Sequence, residues 1–318
     1  MKQAGRWIAA IFLFLLLALV TFLALNWRPD LPLAELRAKY ANEASRFVTI
    51  DGMPVHYRDE GKQGDTLPPL VLIHGTGASL HTWEGWVQAL KDDYRVIRFD
   101  LPAYGLTGPN PTGDYSLDYY AAFTLQLLHR LGVDSCILGG NSLGGAVAWR
   151  TALEAPDRVA GLILVDAAGY PAASQSRPLA FRLASWPVIR LLFRYVTPRS
   201  VIEQSVRNVY ADDRRLSEEL IDRYDDLARR PGNRQAFLDR MGGGGNSSES
   251  YQRIASIEEP TLVLWGAQDA LIPVEAAERF HRDLPNDTLV ILDGLGHVPM
   301  EEAPKRTVEV VEGVLRNW

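Results

Sequence analysis

Residues 139–145 read "GGNSLGG", directly after the apolar run "SCIL". Glycine weakens strands and helices alike, so four of them around one serine cost stability unless the backbone needs unusual dihedrals or very close contacts. Within the stretch, "GNSLG" (140–144) fits G-x-S-x-G, with a strand-like run before it and the helix-like "LGGAVAWRTALEAP" after it. Strand, sharp turn, helix is the context in which that pattern lifts a serine out of a sheet. Gly140 and Gly144 then leave room for close strand–helix packing, Gly145 allows a further close contact, and the helix N-terminus aims free N–H groups at Ser142. The pattern recurs by chance in many chains; its surroundings give it meaning.

Outward from this point, strand-like and helical runs alternate. "RFVTIDG" and "MPVHYRDEG" form an opening hairpin, "PPLVLIHG" a buried strand, "TWEGWVQALKDD" a helix, "YRVIRFDLP" a strand and "SLDYYAAFTLQLLHRLGV" a helix. After the serine turn come strand "VAGLILVDAAG", then "PTLVLWG", helix "PVEAAERFHRDL", strand "DTLVILDG" and helix "PKRTVEVVEGVLRNW". The rhythm predicts an α/β fold, a mostly parallel central sheet with helices on both faces. It breaks between residues 171 and 257, which hold helical periodicity and no convincing strand. The expected organisation is a core of 47–170 and 258–318 with a helical cap, 171–257, overhanging the end of the sheet where such folds bind ligands. The glycines at 242–245 lack the Lys-Ser/Thr ending of a phosphate loop and are expected to be a hinge in that cap.

The 318 residues carry a net charge of -6, which gives no reason to expect nucleic acid as a partner. The one cysteine, Cys136, rules out an internal disulfide and a cysteine-rich zinc site. "WIAAIFLFLLLALVTFLALNW", Trp7 to Trp27, has no charge and a tryptophan at each end. At ~1.5 Å per residue it reaches across a bilayer core, so residues 1–28 are expected to be an uncleaved anchor rather than a signal peptide, for which it is too long and lacks an A-x-A site. The expected location is the inner membrane, with the domain on the extracytoplasmic side. Residues 29–46 are expected to form a juxtamembrane amphipathic helix, with Asp30 as N-cap, Leu33, Leu36 and Tyr40 on one face, and Glu35 paired with Lys39.

A serine hydroxyl needs a base, and the base needs an orienting acid. His297, in "DGLGHVPMEEAP", follows the last strand; Asp269, in "LWGAQDALIP", follows the penultimate one. Both loops belong to the end of the sheet that carries Ser142. Asp166 also ends a core strand and is the rival acid, better read as a structural hydrogen-bonding group. Oxyanion donors are expected from the N–H of Leu143 and of Thr76, with Gly77 as second choice. His74 is expected to buttress the Thr76 loop, His81 to be structural, His56 to sit on the hairpin, and His129 and His281 to lie at the surface.

Four ordered signatures, "HGTGAS", "DLPAYGLTG", "GNSLGG" and "WGAQDALIP" with "GLGHVPMEEAP", resemble the serine-nucleophile branch of the α/β-hydrolase superfamily over residues 47–318. Serine in place of aspartate at the turn speaks against the dehalogenase and epoxide hydrolase branches. The resemblance implies an acyl-enzyme mechanism without metal or cofactor, with Ser142, His297 and Asp269 as the triad. With the anchor, the chain resembles bacterial single-pass esterases that act as phospholipase A or lysophospholipase, and an acyl-ester or phospholipid substrate is expected. A homodimer stays open. "RPLAFRLASWPVIRLLFRYVTPR" (177–199), basic and aromatic, is compatible with an anionic bilayer surface or with an ordinary cap helix; "ADDRRLSEELIDRYDD" (211–226) is expected to be a solvated acidic face. The alternatives are a carbon–carbon bond hydrolase of ring-fission products, whose elbow also reads G-N-S-x-G-G but whose oxyanion loop usually has a G-P-G stretch absent here, and a catalytically silent anchored scaffold.

Overall fold

The computed structural model describes residues 2–64, 67–171, 174–186, 192–193, 195–242 and 250–318. Eight strands form one sheet: β1 (Ser45–Ile50), β2 (Met53–Gly61), β3 (Leu70–Ile73), β4 (Arg95–Phe99), β5 (Cys136–Asn141), β6 (Val159–Val165), β7 (Thr261–Gly266) and β8 (Asp287–Leu292), in the order β1-β2-β4-β3-β5-β6-β7-β8. β1, β2 and β4 pair antiparallel and the rest of the sheet is parallel. The central strands β3, β5 and β7 are buried at every residue, as continuous apolar runs must be when helices cover both faces. One face packs Phe123, Trp149 and Trp265 in its core, the other Trp83, Trp86 and Leu262.

From β3 the chain steps to β4 on one side, then returns to β5 on the other. The loops leaving β3 and β5 therefore diverge from adjacent strand ends, and a crevice opens between them. The sequence places "HGTGAS" in one loop and "NSLGG" in the other.

Twelve α-helices are described. α1 (Lys2–Leu25), α2 (Leu33–Tyr40), α3 (Glu84–Leu90), α4 (Leu117–Arg130) and α5 (Leu143–Glu154) precede β6; α10 (Glu275–Asp283), α11 (Pro299–Glu302) and α12 (Pro304–Leu315) follow β7. Between β6 and β7 lie α6 (Leu179–Ala184), α7 (Arg199–Arg207), α8 (Glu218–Ala228) and α9 (Asn233–Gly242). The expected hinge at 242–245 lies, apart from Gly242, outside the described residues, as do residues 187–191 and 194 of the basic-aromatic stretch.

Over Gly5–Leu25, α1 is 21 residues of mean hydropathy 3.0 with none of it buried, long and apolar enough to cross a membrane. The segment after α1 differs from the sequence expectation in three ways. Its helix is short, Leu33–Tyr40, and Ser45 and Arg46 already belong to β1. Pro32 occupies the N-cap position without a side-chain cap, because the Asp30 carboxylate is taken by Arg234 at 2.7 Å. Lys39 bonds Asp226 at 2.6 Å in place of Glu35.

The linker is thus docked on α8 and the residues after it. Leu36 is buried with Leu106 and Leu227. Arg28 reaches Asp225 at 2.7 Å, Leu31 N–H donates to Arg229 O at 2.9 Å, and Trp27 stacks on Tyr195 at 5.2 Å. The acidic run 211–226 is accordingly not a purely solvated face, since Asp225 is buried and Asp226 also accepts from the Tyr40 hydroxyl. Of the aromatics in 177–199, Phe181 and Phe193 turn inward against Phe237, and Trp186 is exposed.

Candidate active site

Ser142 stands at the head of α5 with φ +53° and ψ -114°, a region a residue with a Cβ enters only when its surroundings force it. The forces are local. Its N–H donates to Val165 O at 3.1 Å, and its carbonyl accepts from Ala146 N–H at 3.1 Å and Ala168 N–H at 2.9 Å. Close packing makes the flanking glycines obligatory: a Cβ on Gly140 would strike the Gly144 backbone, and one on Gly144 would strike the Ile73 carbonyl. Although Ser142 occupies the N-cap position, its hydroxyl makes no cap hydrogen bond and is left for other use.

The base and acid candidates meet. His297 Nδ1 lies 2.6 Å from Asp269 Oδ2, both groups buried, which is hydrogen-bond distance with the proton on the ring nitrogen. Asp269 is fixed from behind by Leu271 N–H at 2.8 Å and Ile272 N–H at 3.0 Å on Oδ1. Ser142 and His297 line one cavity of about 120 Å³, together with Thr76 and Gly77, and Phe181, Phe193 and Phe237 are among its apolar walls. Gly77 has φ +80°, which shapes the turn that carries Thr76. Leu143 is the first residue of α5.

One neighbour, Asn141, escaped the sequence reading. Asn141 Nδ2 donates to His297 O at 2.9 Å and to Val165 O at 3.2 Å, so the residue before the serine bolts the histidine loop to the serine turn. The signal was present, an amide inside "GNSLG", but its partner is 156 residues away. Asp166, with φ +44°, accepts from Gly266 N–H at 3.0 Å through Oδ1, the structural bond expected of it. Its Oδ2 finds no donor among the described residues, and the ligating atoms of Asp166, Asp269 and His297 lie within 4.8 Å of one another. Burial, then the charge of Asp269, pushes the Asp166 carboxyl well above the carboxylate range. That direction favours the protonated form of Asp166 beside Asp269. Three such groups are compact enough to hold a cation, and among them His297 Nδ1 and Asp269 Oδ2 are engaged with each other at 2.6 Å.

The remaining histidines are accounted for. His74 Nδ1 bonds Gly75 O at 2.8 Å and its Nε2 accepts from Leu101 N–H at 3.0 Å; burial lowers its pKa, and the neutral ring props the loop between them. His81 is buried against Tyr40 O at 3.0 Å, its pKa pushed down to about 3 by burial, and lies off the serine cavity. His56 Nδ1 pairs with Asp100 at 2.8 Å inside the hairpin side of the sheet. His129 and His281 are exposed.

Residues 68–304 match the family described as the alpha/beta hydrolase fold, and the chain belongs to that family. The chain is similar in structure to a bacterial membrane phospholipase A described as a virulence factor, at 27% identity and a TM-score of 0.73, over 100% of this chain and 99% of that one. It is similar to a thermophilic esterase from Thermogutta terrifontis, at 28% identity and a TM-score of 0.69, over 85% of this chain and 96% of that one. In sequence it is 28% identical to a 2-hydroxy-6-oxononadienedioate/2-hydroxy-6-oxononatrienedioate hydrolase of Pseudomonas putida, over 80% of this chain and 90% of that one.

Proposed function

We propose that the chain is a membrane-anchored carboxylic ester hydrolase acting on acyl lipids through a Ser142–His297–Asp269 triad. One observation carries the reading: a serine held at φ +53°, whose hydroxyl makes no cap hydrogen bond, shares a cavity with a histidine whose far nitrogen is bonded at 2.6 Å to a buried aspartate. His297 Nε2 takes the Ser142 proton as Oγ attacks the ester carbonyl, and Asp269 stabilises the imidazolium that forms. The N–H groups of Leu143 and Thr76 hold the tetrahedral oxyanion, each such donor contributing roughly 10²–10³ in rate. The imidazolium returns its proton to the departing alcohol, and water activated by His297 releases the acid.

Lipid as the substrate class is supported by the apolar cavity walls, by the apolar α1 and by the likeness to the membrane phospholipase A. In this reading α1 anchors the chain in the inner membrane with the catalytic domain on the extracytoplasmic side.

A fluorophosphonate probe tests the site. The wild-type protein labels at Ser142, whereas Ser142→Ala neither labels nor hydrolyses p-nitrophenyl esters while keeping its circular dichroism spectrum. Undiminished turnover in that variant would refute the triad, and an unlabelled wild type would favour a silent scaffold. The Pseudomonas putida relative supports a second reading, cleavage of a carbon–carbon bond in 2-hydroxy-6-oxodienoates. Turnover of such a compound faster than of any ester would replace the first reading with it.

A further inference from the structure

The histidine loop rests on the cap as well as on the sheet. His297 N–H donates to Val209 O at 2.8 Å. Val209 N–H in turn donates to Val206 O at 3.1 Å, so the chain here prolongs the last turn of α7. Gly296 lies against the same stretch: a Cβ on it would come within 2.6 Å of Val209 O and 2.7 Å of Ala211 N. This part of the cap is also cavity wall, since Ile202, Val206 and Val209 line the serine cavity together with Ser142 and His297.

One side chain fastens the joint. Glu302, the last residue of α11, has a fully buried side chain. Its Oε2 accepts from Gly296 N–H at 2.8 Å and from Ala211 N–H at 3.3 Å, and its Oε1 accepts from Asp212 N–H at 3.1 Å. The residue before the base and two residues of the cap thus share one carboxylate. Backbone N–H groups enclosed at such a joint need acceptors, and a carboxylate supplies several at once. The neighbouring acid differs. Glu301 also ties α11 to the cap, through Arg223 and through the Tyr224 hydroxyl at 2.8 Å. Its side chain has no hydrogen bond to residues 294–297 among the described residues.

We infer that Glu302 is a positioning residue for the base and that the end of α7 is the mount on which it holds His297. The inference rests on the ester hydrolase reading, in which His297 keeps Nε2 toward Ser142, and makes this corner of the cap a fixed part of the site. A cap that lifted here would pull the His297 backbone with it.

The test compares full-length wild type, Glu302→Gln and Glu301→Gln in a nonionic detergent, with a p-nitrophenyl ester as substrate. Glutamine keeps one oxygen for the loop but turns an NH2 group toward the remaining N–H donors, so the joint loosens. In Glu302→Gln kcat falls by about 10- to 100-fold while KM stays within about twofold, because the base is out of place and the substrate is bound as before. The far-downfield proton resonance of the His297–Asp269 hydrogen bond broadens in the same variant. Glu301→Gln keeps both its kcat and the resonance. An unchanged kcat in Glu302→Gln overturns the assignment. So does an equal loss in Glu301→Gln, which would reduce Glu302 to one of several bonds between cap and core. Gly296→Ala, which drives the loop off Val209, reproduces the kcat loss and decides the matter should Glu302→Gln fail to fold; an unchanged kcat there overturns the mount. The resonance needs no substrate, so a wild type that shows it and hydrolyses no ester would fault the ester hydrolase reading itself.

Discussion

Asp166→Asn replaces one carboxyl oxygen with an NH2 group and removes one titrating charge in the most enclosed part of the site. Asparagine keeps an Oδ1 for the Gly266 N–H and places an amide N–H at the position of Oδ2, beside Asp269. It also accepts the φ of +44° at this position, since aspartate and asparagine are the side chains most often found there. What the substitution removes is titration. Unfolded, Asp166 ionises near pH 3.8; folded, burial and Asp269 keep it protonated well above that. The folded state therefore binds one more proton than the unfolded state in this window, and wild-type stability falls as pH rises from the unfolded pKa to the folded one. The slope is about 1.4 kcal/mol per pH unit for one proton. The difference between the two proteins isolates this carboxyl together with its coupling to Asp269. Urea unfolding at half-unit steps from pH 4.5 upward measures it. Asp166→Asn gains on wild type with every step until the folded pKa is passed, and the gap then becomes flat. The midpoint of the acid limb of kcat/KM stays where it was, because one neutral donor has replaced another. A gap that does not change with pH would mean that Asp166 is ionised in the folded protein, and that the two acids do not share one proton.

Asn141→Ala should lower kcat by about 10- to 100-fold with little change in KM, since the His297 carbonyl loses its tie to the serine turn and the imidazole loses its placement; steady-state kinetics on a soluble ester reads this, and an unchanged kcat would make Asn141 dispensable. Deleting residues 2–26 should move the protein from the membrane pellet to the supernatant while preserving p-nitrophenyl ester hydrolysis; a truncated chain that still pellets would show attachment elsewhere.

The alternation of buried strands with amphipathic helices was legible because it is written in local periods of two and 3.6 residues. The serine turn was legible because backbone strain selects glycine by type, not by distant partner. What could not be read depends on residues far apart in the chain. Local spacing paired Glu35 with Lys39, yet Asp226 is 187 positions away and has the better geometry. Asp30 looked like a cap because short acids cap helices, but a buried guanidinium 204 positions away outbid the backbone N–H groups. The acidic look of 211–226 said nothing of Asp225, whose partner Arg28 precedes it by 197 residues. Asp166 could be judged structural from its place at a strand end, but its raised pKa depends on burial and then on how closely Asp269 approaches it.

The chain between Trp27 and Tyr40 has no slack. Immediately past the apolar helix it is fastened to the helices over the cavity by ring stacking, by backbone bonds and by the Arg28–Asp225, Lys39–Asp226 and Asp30–Arg234 pairs. With α1 in a bilayer, a leash this short holds the cavity at one height and heading above its own leaflet. Such an enzyme meets substrate by lateral diffusion, so its rate should follow the mole fraction of substrate in the surface it inhabits and ignore vesicles it merely collides with.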